Sequence, residues 1–186
     1  MSNLADLRVA VLATDGVEES ELTEPVKALR DAGARVTIVS LKPGQIQAVR
    51  NDLDKTVKID VDRTVTELST EKFDAVHLPG GTVNADRMRV VPEVQSFLQA
   101  MQEAGKPISA ICHAPWELVS AGLVPGRTLT SYHSVQDDIR NAGGNWLDRE
   151  VVEDGNWVTS RHPGDLPAFN RAMLALFSRS AVASGK

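Results

Sequence analysis

The sequence predicts an α/β fold, a three-layer α/β/α sandwich built on a mostly parallel sheet. Two observations carry this. Short apolar runs, suited to strands covered on both faces, alternate with segments whose apolar residues recur at helical spacing. That alternation joins parallel strands by helical crossovers, which places helices on both faces of the sheet. The chain of 186 residues, 42% hydrophobic and 24% charged, has the make-up of an ordinary globule. It is read as a single domain over 1–186, fraying at about 181–186.

"LRVAVLA" (7–13) is the first strand. After the loop "TDGVEE", Leu22, Val26 and Leu29 mark a helix that Gly33 stops. "RVTIVSL" (35–41) is a β-branched strand, "KPGQIQAVRND" a loop or hairpin region, and "TVKIDVD" a partly exposed strand of period two. "FDAVHLPGG" is a buried strand ending in a Pro-Gly-Gly turn. Pro92 opens a helix with Val94, Phe97, Leu98 and Met101 on its core face. "PISAI" leads as a strand into Cys112, and "APWELVSAG" follows as a helix closed by Gly122. "RTLTSY" is read as a strand, and "SVQDDIRNAG" as a helix capped by Ser134. Asp154-Gly155 between apolar arms signals a hairpin. "DLPAFNRAMLALFSRS" is the closing amphipathic helix, with Asp165 as N-cap. Trp116, Trp146 and Trp157 are assigned to packing between layers.

A formal charge of -5 gives no basic footprint for nucleic acid or an anionic membrane. No apolar run approaches the roughly 18 residues of a membrane span. The first residues carry neither the basic lead nor the apolar length of a signal peptide, so the expected location is the cytoplasm. A single cysteine excludes an internal disulfide, and the four histidines (His77, His113, His133, His162) lack paired ligand spacing, so no metal is expected.

In parallel sheets the ligand site lies beyond the carboxyl ends of the strands. "TDGVEES", "LPGGT" and "CHAPW" all fall at that edge. Cys112 therefore stands on a sharp strand-to-helix turn. There a side chain is exposed above the sheet and faces the positive end of the next helix, a field that favours thiolate. Backbone N–H groups at the helix start can cradle an oxyanion. The competing reading is a small buried hydrophobe that ends a strand. His113 directly after the cysteine favours chemistry, since imidazole beside a thiolate acts as base or acid.

The stretches "AICHAPWELVSAGLVPGRTLTSYHSVQDDIRNAGGNW" and "VVEDGNWVTSRHPGDLPAF", with "FDAVHLPGG" upstream, resemble the PfpI family of intracellular-protease-like and general stress proteins. The resemblance runs from about Arg8 to Phe177 and implies a flavodoxin-like sandwich with a nucleophile elbow. It implies that Cys112 is the nucleophile and that Glu18 hydrogen-bonds it. Glu21 matches a second family acid, one helical turn along. The backbone N–H groups of Gly81 and His113 match the family's oxyanion donors, and Tyr132 matches an aromatic lining the pocket. Family members described as proteases complete a triad with a glutamate from a neighbouring subunit; the matching residue here is Asp86, one methylene shorter. His133 follows Tyr132 where some relatives carry proline. His133 and His162 are read as surface or packing residues, and Glu19 and Glu24 as solvated helix charges.

Three functions follow. The first is a cofactor-independent enzyme of glyoxalase III or deglycase type, in which Cys112 adds to a small aldehyde or glycated group and Glu18, protonated while the thiol is charged, moves the proton. The second is an intracellular cysteine peptidase or amidase using Cys112, His113 and Asp86 across a subunit contact. The third is a redox sensor or holdase without turnover. The first is favoured, in a homodimer or higher homo-oligomer.

Overall fold

The computed structural model describes residues 4–183. Its main sheet has seven strands. Beginning at one edge, these are β11 (Val151–Asp154), β12 (Trp157–Ser160), β8 (Ile108–Ile111), β7 (Ala75–Leu78), β1 (Arg8–Leu12), β3 (Arg35–Ser40) and β6 (Arg63–Thr64). All pairings are parallel except β11 with β12, which form the hairpin that Asp154-Gly155 signalled. Gly155 turns it at φ 58°, a region open to glycine.

The inner strands are apolar throughout because both faces are covered. On β1, Val9 and Val11 pack toward α1 (Glu19–Asp31) and α6 (Leu166–Ala183), beside Leu22, Val26, Leu29, Phe169 and Phe177. The alternate residues Ala10 and Leu12 face the other layer with Val76, Leu78 and residues of α3 (Pro92–Glu103), α4 (Pro115–Ser120) and α5 (Gln136–Asn141). Val94, Phe97, Leu98 and Met101 of α3 are all buried, as their spacing predicts. The molecule is thus a flavodoxin-like three-layer sandwich. No helix among the described residues is long and apolar enough to cross a membrane.

Several expectations are corrected. β4 (Gly44–Arg50) and β5 (Asp54–Val61) are the hairpin and partly exposed strand the sequence suggested, but they lie outside the main sheet, docked through β4 on β2 (Val17–Glu18). "RTLTSY" contributes only β9 (Thr128–Leu129), paired with β10 (Asn145–Trp146) in a separate two-stranded sheet. Ser134 caps nothing; it lies in a 3₁₀ turn before α5. Asp165 accepts from Arg161 Nε at 2.9 Å and Arg161 Nη2 at 3.0 Å, so the ion pair replaces the expected cap. The last helix extends through Ala183; the end of the segment expected to fray, residues 184–186, lies outside the described residues.

One helix had no sequence signal. α2 (Thr82–Arg89) buries Asn84, Ala85 and Met88, too sparse an apolar face to stand out. Its anchor is polar. Asn84 accepts from the Thr14 N–H at 2.7 Å and donates to the Pro79 and Gly80 carbonyls at 2.9 and 3.1 Å. A buried amide that meets its partners is stable. Here it ties the loop after β1 to the loop after β7.

Candidate active site

β8, β7 and β1 are neighbours, so the loops after them converge at one edge, where the chain order reverses direction across the sheet. Between them lies a pocket of about 200 Å³, walled by Glu18, Glu21, Asn51, Asp52, Gly81, Cys112, His113, Tyr132 and Pro163.

Cys112 sits at φ 63°. For a residue with a Cβ that conformation costs on the order of 1–3 kcal/mol, which the surrounding structure must supply. The turn is the strained elbow the sequence suggested. Its surroundings demand glycine. A Cβ on Gly80 would stand 2.6 Å from Cys112 Cβ and 2.3 Å from Glu21 Oε2. A Cβ on Gly81, at φ 93°, would stand 2.3 Å from the Gly16 carbonyl oxygen. With both side chains absent, the backbone closes over the cysteine, and the N–H groups of Gly81 and His113 are directed at Sγ.

The thiol does not have the environment the sequence suggested. Cys112 is buried, 7% exposed, and α4 after it has only six residues, so its field is small. Burial first, then the Glu21 carboxyl, push the thiol well above its ordinary range, against the pull of the two N–H groups. Deprotonation therefore needs a base. His113 Nδ1 lies 3.2 Å from Cys112 Sγ. Burial lowers the imidazole's own pKa, which keeps it neutral and able to accept a proton. Tyr132 holds the ring from one side, stacked at 4.7 Å and 27°, and its N–H donates to the Cys112 carbonyl at 2.7 Å.

The carboxyl that meets Cys112 belongs to Glu21, not Glu18. Glu21 is completely buried on α1 and interacts with the thiol and the Gly80 N–H, although neither oxygen reaches full hydrogen-bond geometry. Burial, with Glu18 adding like charge, raises it to about 8, so it is protonated at neutral pH and faces sulfur as a donor. Glu18 instead meets the N–H groups of Asn51 and Asp52 at the far wall, and burial raises it too.

Glu21 is fixed by its backbone. Pro25 sits four residues on and has no N–H, so the Glu21 carbonyl lacks its helical partner. His77, fully buried on β7, fills the vacancy: its Nε2 donates to that carbonyl at 3.0 Å while Nδ1 accepts from Ser109 Oγ at 3.0 Å. Burial holds His77 down at about 4, hence neutral. A proline inside a helix and a histidine inside a strand, each odd alone, answer one another.

The remaining residues fall outside. Asp86 is exposed on α2 and does not line the pocket of its own chain. His133 is exposed and stacks on Tyr132 at 4.4 Å, and His162 lies on the surface 3.9 Å from Asp165. Trp157 is buried, its Nε1 donating to Gln102 Oε1 at 2.7 Å. Asp52 was missed altogether. Its only sequence signal is the Asn51-Asp52 pair between two strand patterns, where side chains tolerant of positive φ are expected.

An elbow cysteine under two glycine-freed N–H groups, paired with histidine and a protonated glutamate, is a site whose relatives can be sought by sequence. The profile of the DJ-1/PfpI family matches residues 7–176. The chain belongs to the DJ-1/PfpI family. It is 39% identical over 170 residues to a deglycase of Thermococcus kodakarensis, covering 91% of this chain and 99% of that protein. It is 37% identical over 173 residues to general stress protein 18 of Bacillus subtilis, with 92% and 98% covered. Among solved structures, Drosophila melanogaster DJ-1beta superposes with a TM-score of 0.83 at 30% identity, covering 96% of this chain and 97% of that one. Membership in the family accounts for the flavodoxin-like sandwich and for the order of its motifs along the chain.

Proposed function

We propose that this protein is a cysteine-dependent enzyme of the deglycase or glyoxalase kind, acting on small reactive aldehydes or the adducts they form on amines. One observation carries the reading: a neutral imidazole 3.2 Å from the buried Cys112 thiol, opposite a carboxyl that is uncharged at neutral pH. The deglycase and stress-protein names of relatives near 40% identity support it.

His113 Nδ1 takes the thiol proton as Sγ bonds to the carbonyl carbon. The carbonyl's π electrons move to oxygen, and the oxyanion settles against the Gly81 and His113 N–H groups. A proton from Glu21 neutralises it, giving a hemithioacetal and leaving Glu21 as a carboxylate beside the new imidazolium. Glu21, buried beside sulfur, then moves a proton between neighbouring carbons, the role first expected of Glu18. Water releases the product and restores the thiol. The whole cycle uses groups of the chain and water.

The test is consumption of methylglyoxal without added glutathione, beside a glycated amine and a fluorogenic peptide. Wild type should turn over the first or second, and Cys112→Ala should turn over neither. Turnover that survives in Cys112→Ala, or confined to the peptide, overturns the reading.

A further inference from the structure

The Asn51-Asp52 turn closes the β4–β5 hairpin with both residues at positive φ, 54° and 62°, and the Leu53 N–H donates back to the Arg50 carbonyl at 3.2 Å. Such a turn prefers glycine at its second centre. An aspartate there is used for its side chain. Asp52 Oδ1 accepts from the Thr82 N–H at 2.7 Å, and Oδ2 from Thr82 Oγ1 at 2.8 Å. Thr82 Oγ1 in turn lies 3.3 Å from His113 Nε2.

Counting protons along this line fixes the imidazole. An ionised carboxylate only accepts, so the single hydroxyl proton of Thr82 points to Asp52. A lone pair of Oγ1 then faces His113 Nε2, which must carry the hydrogen. Nδ1 is left bare, and it is Nδ1 that stands 3.2 Å from Cys112 Sγ. Ser134 Oγ, also 3.3 Å from Nε2, has a free rotor and accepts beside Thr82.

We propose that Asp52 is a positioning residue for the nucleophile: through Thr82 it holds His113 as the Nε2–H tautomer, so that Nδ1 faces the Cys112 thiol as a base. The inference rests on the reading of Cys112 as nucleophile. It assigns to one chain, by way of a hairpin tip, the task of orienting the histidine. The ionisable groups that face the imidazole are Cys112, Asp52 and His133, and Cys112 in turn faces Glu21.

Asp52→Asn gives the sharpest test, because asparagine keeps the turn. Its oxygen must still meet the Thr82 N–H, so its NH₂ falls on Oγ1 and donates. The Thr82 hydroxyl then turns its proton to Nε2, and His113 becomes the Nδ1–H tautomer, which cannot take the thiol proton. Two readouts need no substrate. In ¹⁵N NMR of the full chain, wild type should show protonated Nε2 and bare Nδ1, reversed in Asp52→Asn. Iodoacetamide alkylation of Cys112 at pH 7 should slow on the order of 10²-fold, the scale of general-base assistance, with its pH midpoint raised. Asp52→Gly, which suits the turn even better, should slow alkylation while keeping the fold. Thr82→Val should do the same, and Thr82→Ser should restore the wild-type rate. Ser134→Ala should leave the tautomer unchanged. With substrate, Asp52→Asn should lower kcat and leave KM near its wild-type value. Protonated Nδ1 in wild type, or a wild-type tautomer and alkylation rate in both Asp52 variants, would overturn the proposal. If wild type turns over no aldehyde yet Asp52→Asn still reverses the tautomer, the proposed function fails and this inference stands.

Discussion

The two flanks of Cys112 are built on different physics. On one side Glu21, His77 and Gly80 lie in the dry interior, and burial is the largest cause that sets the protonation of the two ionisable side chains: Glu21 raised to about 8, His77 lowered to about 4. On the other side the buried His113 meets Thr82, Asp52 and Ser134, which come from loops and element ends open to solvent in part or in full, and a line of hydrogen bonds sets where protons sit. The dry flank decides how many protons the site holds. The wet flank decides where one of them goes. A thiol placed between can be kept neutral at rest and still lose its proton when a carbonyl arrives.

The comparison breaks most readily at the dry flank. Glu21→Leu should remove activity by on the order of 10²–10⁴-fold, the range for a lost general acid or base, because no other proton donor meets sulfur from that side. Residual activity near wild type in aldehyde assays would deny Glu21 its place.

Stability should follow. His77→Phe leaves the Glu21 carbonyl without its partner and the Ser109 hydroxyl with only the Val76 carbonyl at 3.3 Å, which should cost about 1–3 kcal/mol in urea unfolding. No loss would mean that Pro25 and His77 are not coupled.

The pH dependence sharpens the contrast. Glu21 and the fully buried Glu117, whose oxygens have no partner, are raised by burial. The folded protein therefore holds their protons after the unfolded chain has lost them, from about pH 4.3 upward. Their effect is a stability that falls as pH rises toward about 8. His77 acts oppositely: its folded value of about 4 lies below the ordinary ~6.5, so stability is lost as pH drops through that interval. Between about pH 4.3 and 6.5 the two carboxyls outweigh the one imidazole, so the combined effect of these groups is a stability that falls from the acid side of neutrality onward. Glu117→Gln should flatten the alkaline decline, as read by melting temperature from pH 6 to 8. An unchanged decline would show that Glu117 is already ionised in the folded protein over this range.

Much of this was legible in the sequence. The strand runs, the glycines and the CHAP turn located the edge of the sheet where chemistry sits, because tight backbone approach leaves few residue choices. The identity of the acid was not. Glu18 and Glu21 differ by three residues, and whether a loop residue or a helical one meets sulfur depends on where β2 ends and α1 begins, a boundary without a composition change. The thiol's burial was left open between two readings, since it comes from Gly80 and Gly81 closing over the elbow. α2 was hidden because its buried face includes Asn84 where a hydrophobe is expected. Asp52 acts through a hairpin tip 30 residues from Thr82, which no local pattern reveals.

The smallest effect is also the most telling when set beside a large one. Glu18→Gln keeps an acceptor for the Asn51 and Asp52 N–H groups, so activity should stay within a few fold of wild type. Glu21→Gln keeps a donor but loses the proton that must move. Measuring kcat for glutathione-free methylglyoxal consumption in these two variants tests the central claim, that the carboxyl working on Cys112 is that of Glu21. The structure predicts a loss on the order of 10²-fold or more in Glu21→Gln and near-wild-type turnover in Glu18→Gln. The reverse order, with Glu18→Gln inactive and Glu21→Gln competent, would contradict it.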